Sequence, residues 1–226
     1  MKRIIIAIDG SSGCGKSSTA RAVAKALGYT YVDSGAMYRA TTLYFLDHGV
    51  PAESDQAVEE ALRNIRISFR VNASGNSEVL LNGEICEDRI RDMRVASQVS
   101  TVSAIPAVRV AMVARQRELG NDRGVVMDGR DIGTVVYPDA ELKIFLTASI
   151  EVRGRRRQLE LRQKGQEIAL SDIVENLKKR DLADSTRAVS PLRKAPDAVE
   201  IDTSDLGFEQ QVEQVLTLAR RIIGNH

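Results

Sequence analysis

The chain has 226 residues, of which 43% are hydrophobic and 28% are charged, a composition typical of a globular protein. Its net charge of +1 and aromatic content of 4% disfavour a nucleic-acid-binding module. Two cysteines, Cys14 and Cys86, are too few for a disulfide framework, so we expect a reduced, cytoplasmic compartment. The apolar run at residues 4–8 is too short for a signal peptide or membrane span, and no later run is longer.

Strand and helix signals alternate from the start of the chain. A β-branched run at residues 3–8 predicts a buried strand, and helical apolar spacing over residues 20–27 predicts a helix that Gly28 ends. Residues 29–32 form a second predicted strand. Ser34 is then expected to cap a helix that runs towards Leu46.

A different pattern begins near Ile65, where apolar and polar residues alternate as far as Asn72. Two turn signals, Gly75-Asn76 and Asn82-Gly83, flank the apolar residues 79–81. Alternation bounded by such turns is typical of β-hairpins. The sequence therefore predicts a small antiparallel sheet, at approximately residues 65–88, inserted in an α/β chain.

The second half of the chain returns to buried strands and amphipathic helices. Strands are predicted at residues 125–128, 142–146 and 198–201, and a strongly basic segment occupies residues 153–164. A helix before the first of these strands is indicated by Val108, Met112 and Leu119. A later helix is indicated by Ile173, Leu177 and Leu182, and a C-terminal helix contains Phe208. Alternating strands and helices predict an α/β fold, a parallel five-stranded sheet with helices on both faces.

The strongest local signal is a phosphate-binding loop, G-x-x-x-x-G-K-S, between a predicted strand and a predicted helix. Its glycines allow backbone N–H groups to point at phosphate oxygens, and the helix N-terminus adds further donors. Lys16 is expected to reach the β- and γ-phosphates, and the Ser17 hydroxyl to ligate Mg²⁺. Cys14 fits better as a small filler than as a nucleophile. The predicted ATP-binding residues are Gly10, Ser11, Ser12, Gly13, Cys14, Gly15, Lys16, Ser17 and Ser18.

The loop alone does not distinguish a kinase from a switch GTPase or a motor ATPase. The sequence contains no Asn-Lys-x-Asp segment of the kind that reads guanine, which disfavours a GTPase. Asp128 ends a predicted strand as a Walker-B acid does, so we expect it to hold Mg²⁺ directly or through water. The alternative for Asp128 is a capping or salt-bridging role.

Several arginines lie next to predicted turns and helix starts. A phosphoryl transferase needs such residues, because it must neutralise charge on the donor, the acceptor and the transferring group. Arg39 follows a D-S-G segment, and Arg130 lies within G-R-D. The basic cluster at residues 153–157 suits a mobile lid over ATP phosphates, although such a cluster is also typical of a solvated helix face.

These segments resemble the bacterial cytidylate kinases, within the nucleoside monophosphate kinase group. The similarity runs nearly end to end through I-D-G at residues 8–10, D-S-G-A-M-Y-R at 33–39, D-G-R-D-I-G-T-V-V at 128–136 and K-I-F-L at 143–146. The second and third blocks are far more specific than the phosphate loop, and the inserted sheet also resembles a feature of this family. One departure is the loop itself, which reads Ser-Ser-Gly-Cys where Pro-Ser-Gly-Ala is more familiar.

The resemblance implies roles for residues outside the loop. Those that hold the acceptor phosphate would be Ser34, Arg39 and Arg130. Those that read the pyrimidine would be Ser100, Arg109 and Asp131. Those beside the ribose and phosphates would be Arg180, Asp184 and Arg187, and the lid would contain Arg153, Arg156 and Arg157. The alternatives are a helix-surface arginine for Arg109 and a helix residue without a ligand for Ser100.

The reaction implied is transfer of the γ-phosphoryl group of ATP to CMP or dCMP, with Mg²⁺ as cofactor and Lys16, Arg130 and the lid arginines stabilising charge. A carboxylate such as Asp131 can accept from N4 of cytosine while Arg109 donates to a ring acceptor, a pairing that uracil would not reproduce. We expect one kinase domain over residues 1–226. Within it, residues 34–120 would bind the nucleoside monophosphate and residues 150–168 would form the lid.

Two rival functions remain open at this stage. One is a phosphate-loop kinase for UMP, AMP or a non-nucleotide metabolite. The other is a nucleotide-dependent regulator or assembly ATPase that hydrolyses ATP without an acceptor. We expect a monomer that acts on small molecules, with no nucleic-acid or membrane partner, and the sequence does not give the relative use of CMP, dCMP and UMP.

Overall fold

The computed structural model describes residues 2–72, 77–163 and 165–224. The chain forms two compact units. The first contains Met1–Tyr31 and Asp122–His226, and the second contains Val32–Asn121. The range of the second unit is close to residues 34–120, for which nucleotide binding is predicted.

The elements alternate much as predicted. The strands are β1 (Ile5–Gly10), β2 (Thr30–Asp33), β3 (Ile67–Val71), β4 (Ser77–Leu81), β5 (Glu84–Ile85), β6 (Val125–Gly129), β7 (Leu142–Thr147) and β8 (Val199–Asp202). The α-helices are α1 (Lys16–Leu27), α2 (Ser34–Asp47), α3 (Asp55–Asn64), α4 (Met93–Ala104), α5 (Pro106–Glu118), α6 (Ile150–Gln163), α7 (Leu170–Thr186) and α8 (Phe208–Gly224).

A five-stranded parallel sheet has the order β2-β6-β1-β7-β8, which confirms the predicted fold class. The strand β1 lies between β6 and β7, with Ile8 opposite Asp128 on one side and Ile144 on the other. The chain thus leaves β1 at the point where the strand order reverses. Ligands of open α/β sheets bind at the carboxyl ends of the strands at such a point.

The core of the first unit explains why these strands are continuous apolar runs. Every residue of β1 and β6 is buried, as expected of central parallel strands covered on both faces. The buried cluster joins the sheet to α1 and α8 through side chains such as Val23, Val215 and Ala219. Apolar burial at this density gives the phosphate loop a rigid base.

The beginning of α2 corrects one prediction. Ser34 is the first residue of the helix, and the cap is Asp33, whose carboxylate accepts the N–H of Ala36 at 2.8 Å. An aspartate N-cap also places negative charge at the positive end of the helix dipole.

The second unit contains the predicted insertion. The strands β3, β4 and β5 form an antiparallel sheet, with Phe69 opposite Val79 and Leu81 opposite Glu84. Asn82 and Gly83 both have positive φ in the turn between β4 and β5, as the sequence predicts. The other turn signal, Gly75-Asn76, lies outside the described residues.

Several boundaries and buried faces differ from the predictions. The strand β1 continues through Gly10, and Pro106 begins α5 after a break at Ile105, because the proline ring cannot continue the preceding helix. Leu182 and Phe208, two of the apolar residues of the predicted helices, are exposed. Both lie near a helix end, where tertiary packing decides burial more than periodicity does.

No single described helix is long and apolar enough to span a membrane. The helices α4 and α5 meet that requirement of length and composition only when taken together, and they are bent by 93° at their break.

The left-handed residue after α1 gives a test of this local architecture. Gly28 has φ +65°, and no atom lies within 4 Å of where its Cβ would be, so Gly28→Ala adds backbone strain without a clash. We expect it to lower the free energy of unfolding by about 1 kcal/mol. The matched control is Gly224→Ala, which also meets open space but lacks a positive φ. Urea titration followed by circular dichroism should show a loss for the first variant alone; equal values would contradict the strain argument.

Candidate active site

The phosphate loop closes the carboxyl end of β1. Gly10 has φ +148°, and a Cβ there would lie 2.1 Å from the carbonyl oxygen of Leu146, so only glycine fits. Gly15, at φ +89°, ends the loop immediately before α1. The first N–H groups of that helix have no helical partner, and the loop is therefore shaped to receive an anion.

Lys16 lies inside the loop rather than on its surface. Its ammonium donates to the carbonyl oxygen of Ser11 at 2.6 Å and lies 3.8 Å from the sulfur of Cys14. Burial, and then the charge of Arg130, hold the pKa of the Lys16 ammonium below its usual range. Cys14 is fully buried and its thiol donates to the Ser11 carbonyl oxygen at 3.1 Å, in agreement with a filling role.

Two oxygen-bearing side chains meet at the start of α1. The Ser17 hydroxyl donates to one carboxylate oxygen of Asp128 at 2.8 Å, and the Tyr31 hydroxyl donates to the other at 2.9 Å. The structure thus brings together both residues predicted to hold Mg²⁺. Within the described ranges no three His, Cys, Asp or Glu residues form a metal-binding cluster, so any cation at this pair would need oxygens from elsewhere.

The other three serines of the phosphate loop differ in their exposure to solvent. Ser11 and Ser12 are half-buried, whereas Ser18 is exposed. A Cβ on Gly13 would lie 3.2 Å from the Cβ of Arg153, so this part of the loop packs closely on α6.

A network of opposite charges follows β6 in the first unit. The Arg130 guanidinium donates to Asp184 at 2.7 Å, and Arg187 lies 3.6 Å from carboxylate oxygens of both Asp131 and Asp184. Burial alone would raise the pKa of Asp184, but Arg130, Arg187 and Arg180 outweigh it and hold that pKa below its usual range. The structure therefore brings together four predicted acceptor-binding residues, Arg130, Asp131, Asp184 and Arg187.

Asp9 was not among the predicted site residues, yet it organises the turn that follows Arg130 and Asp131. Its carboxylate accepts the N–H of Ile132 at 2.8 Å and that of Gly133 at 2.7 Å. Burial raises the pKa of the Asp9 carboxyl from 3.8 to about 6, although the two N–H donors oppose this rise. The available signal was an acid at the end of a wholly apolar strand, where an unpartnered carboxylate would be costly.

The three predicted lid arginines occupy different environments on α6. Arg153 is buried and donates to the carbonyl oxygen of Ser12 at 3.1 Å and to Asp181 at 2.7 Å. Arg156 donates to both the hydroxyl and the carbonyl oxygen of Thr203. Arg157 is exposed and pairs with Glu160, so only this one faces solvent as a lid residue would.

Thr203 and Gln211 also contact the phosphate loop, although the sequence predicts no role for either residue. The Thr203 hydroxyl lies within hydrogen-bond distance of the carbonyl oxygens of Cys14 (3.2 Å) and Thr147 (3.0 Å). The Gln211 amide donates to the Thr19 hydroxyl and to the carbonyl oxygen of Gly15. Neither belongs to a local motif, because each reaches the loop from more than 180 residues away in sequence.

Two predicted residues of the second unit lie at the start of α2. Ser34 is buried, and Arg39 donates to Asp33 at 2.9 Å. Burial would raise the pKa of Asp33, but the Arg39 charge and the Ala36 N–H hold it below its usual range. Arg39 is thus oriented by an ion pair while remaining partly exposed.

The two predicted base-reading residues of the second unit differ in burial. Arg109 is 1% exposed, which excludes the surface role that was its alternative. Its guanidinium lies 5.0 Å from the ring centroid of Tyr38 and donates to the carbonyl oxygen of Ser103 at 3.2 Å. Ser100 is exposed on α4.

Sequence comparisons assign a family to this chain. A family model described as cytidylate kinase matches residues 6–221. The chain belongs to the cytidylate kinase family. Relatives with the name cytidylate kinase include one from Bacteroides thetaiotaomicron, 54% identical over 217 residues that cover 94% of this chain and 95% of the relative. Another, from Caldicellulosiruptor saccharolyticus, is 46% identical and covers 100% of this chain and 99% of the relative.

The solved structures found are more remote from this member of the cytidylate kinase family. A shikimate kinase from Bacteroides thetaiotaomicron is 13% identical with a TM-score of 0.49, and covers 99% of each chain. A gluconokinase from Sinorhizobium meliloti is 17% identical with a TM-score of 0.47, and covers 99% of this chain and 97% of its own. Neither bears on function.

Membership of the cytidylate kinase family confirms the resemblance drawn from the D-S-G-A-M-Y-R and D-G-R-D-I-G-T-V-V blocks. It also confirms a kinase rather than a switch GTPase as the use of the phosphate loop. The roles of individual residues stay predictions.

The raised pKa of Asp9 gives a pH dependence with a definite sign. Between about pH 4 and pH 6 the folded protein binds more protons at Asp9 than the unfolded chain does, so this group's stabilising contribution falls as pH rises through that window. A ¹³C carboxyl NMR titration should place the Asp9 midpoint near 6, with the amide protons of Ile132 and Gly133 shifting alongside it. A midpoint near 4 would contradict the assignment.

Proposed function

We propose that the chain transfers the γ-phosphoryl group of ATP to CMP or dCMP, giving ADP and CDP or dCDP. The observation that carries this proposal is a complete phosphate loop, with Lys16 enclosed and Ser17 paired to Asp128, in a member of the cytidylate kinase family. We further propose that the enzyme works as a cytoplasmic monomer.

ATP phosphates would bind in the loop of residues 10–18. Backbone N–H groups and the N-terminus of α1 supply fixed donors there. The Lys16 ammonium would exchange its contact with the Ser11 carbonyl oxygen for phosphate oxygens, a short movement within the same loop. An anion beside this buried ammonium favours its charged form, and offsets the burial that lowers its pKa.

The Ser17–Asp128 pair is suited to Mg²⁺. Both contribute hard oxygen atoms, and Mg²⁺ is usually bound by one or two protein oxygens together with phosphates and water. When bound, Mg²⁺ would neutralise charge on the phosphates. The Tyr31 hydroxyl orients Asp128 for this role by donating to its second oxygen.

Each unit contains residues proposed to bind the acceptor nucleotide. In the first unit, Arg130, Arg180 and Arg187 would bind phosphate and ribose, with Asp184 orienting two of these guanidinium groups. In the second unit, Ser34 and Arg39 would bind the acceptor phosphate, and Arg109 and Ser100 the pyrimidine. Asp131 would accept from the cytosine amino group, because a carboxylate oxygen can accept the hydrogen bond that N4 of cytosine donates.

Transfer itself requires positioning and charge stabilisation more than proton removal. A phosphate oxygen of the acceptor is already a nucleophile, so no strong base is needed. Lys16 and Arg130 would stabilise charge on the transferring group. Arg153 would brace the loop through the Ser12 carbonyl oxygen. The exposed Arg157, together with Arg156 after it leaves Thr203, would close over ATP and exclude water.

The defining experiment measures ADP formation with Mg-ATP and CMP, dCMP, UMP, AMP or no acceptor. We expect CMP and dCMP to raise the rate at least about tenfold over UMP and over no acceptor, because uracil presents the wrong donor pattern. Equal ATP consumption with and without acceptor would refute the kinase proposal in favour of an ATP-hydrolysing regulator. A preference for UMP or AMP would refute the assignment of the acceptor alone.

Asp131→Asn tests the proposed reading of the base. An amide can no longer serve only as an acceptor, so we expect the ratio of kcat/KM for CMP to that for UMP to fall by about 10- to 100-fold. The KM for ATP should change little. The control is Asp139→Asn, the same chemical change at an exposed position of the same unit. An unchanged ratio in Asp131→Asn would refute the role.

A further inference from the structure

Asp9 has a location that the transfer reaction does not by itself explain. It lies one residue before the phosphate loop, is 4% exposed, and belongs to none of the predicted binding sets. Both of its carboxylate oxygens accept backbone N–H groups, one from Ile132 and one from Gly133. A buried acid with two such bonds fixes the backbone that it contacts.

The backbone in question is the turn that follows Arg130 and Asp131. This turn is a single π-helical segment, Ile132–Val136, in which the N–H groups of Val135 and Val136 both donate to the carbonyl oxygen of Asp131. Ile132 is fully buried, so the turn is anchored by packing as well as by hydrogen bonds. Contacts that fix the position of this turn therefore also fix the positions of Arg130 and Asp131, the two residues that precede it.

The far side of the turn leaves little room for adjustment. A Cβ on Gly133 would lie 3.2 Å from Cδ of Lys143 and 3.4 Å from an oxygen of Asp9. Lys143 is itself buried and held by Asp197 at 2.7 Å and by the carbonyl oxygen of Pro138. The turn is therefore clamped between Asp9 on β1 and Lys143 on β7.

We propose that Asp9 is a positioning residue that sets Arg130 and Asp131 against the phosphate loop. Its own backbone continues into Gly10, so one side chain links the start of the donor loop to residues proposed to bind the acceptor. This inference rests on the proposed function. It assigns Asp9 no contact with either nucleotide and no proton transfer.

Asp9→Asn is the first test. The amide keeps one acceptor oxygen but directs an NH₂ group at the second backbone N–H, so one donor faces another. We expect the KM for CMP to rise at least about tenfold while the KM for ATP changes less than about threefold. The kcat/KM preference for CMP over UMP should fall at least about fivefold, because the turn no longer fixes Asp131.

Gly133→Ala tests the same clamp with Asp9 intact. Its methyl group would enter the 3.2–3.4 Å space between Lys143 and Asp9 and displace the turn. The same rise in the KM for CMP is expected, so this variant decides the question if Asp9→Asn does not fold. The control is Ile6→Val, a core truncation on the same strand at a residue that lies opposite Val126 and Leu142 and belongs to neither predicted nucleotide-binding set, and it should leave both KM values unchanged.

The outcomes separate the inference from the function on which it rests. Wild-type protein that ignores CMP refutes the proposed acceptor, and the same KM comparison is then made with the acceptor that it does use. Wild-type activity on CMP, with unchanged KM and base preference in both clamp variants, overturns the role of Asp9. Equal rises in KM for ATP and acceptor also overturn it, because they indicate general loosening of the sheet.

Discussion

The structure depends on gathering charged groups at the carboxyl edge of one buried parallel sheet. Asp9, Lys16 and Asp128 are each buried there, where an isolated charge would be very costly. Each has a partner from a different part of the chain: backbone N–H groups for Asp9, a loop carbonyl for Lys16, and two hydroxyl groups for Asp128. The sheet register therefore has to be correct before any of these groups is stable.

The phosphate loop is held by contacts from several distant parts of the chain. Its glycines take backbone conformations that a Cβ would forbid, and its outer face is supported by Arg153, Thr203 and Gln211. Such support keeps backbone donors in place without a ligand. Preorganised donors are effective in phosphoryl transfer because they need no reorganisation when charge moves. In contrast, Arg157 on α6 is exposed and pairs with Glu160 on the same helix.

The sequence predicted local features well where a residue type strongly favours one backbone conformation or one environment. Gly28 ends α1 with a positive φ, and Asn82-Gly83 forms a hairpin turn. The run at residues 125–128 is a buried strand. The cap of α2 was placed one residue late, because Asp33 and Ser34 are both good caps and only backbone geometry separates them. Leu182 and Phe208 belong to predicted helices but are exposed, since periodicity identifies the face of a helix and not what covers that face.

The sequence by itself determined the strand–loop–helix that contains the phosphate-loop pattern and, through its longer blocks, the cytidylate kinase family. Those features are local in the chain, so short-range spacing is enough to define them. Only the tertiary structure decided that Ser17 meets Asp128, that Arg130 meets Asp184, and that Asp9 holds the turn at Ile132. Such contacts join residues 54 to 123 positions apart. They depend on strand order and register, which no local pattern encodes.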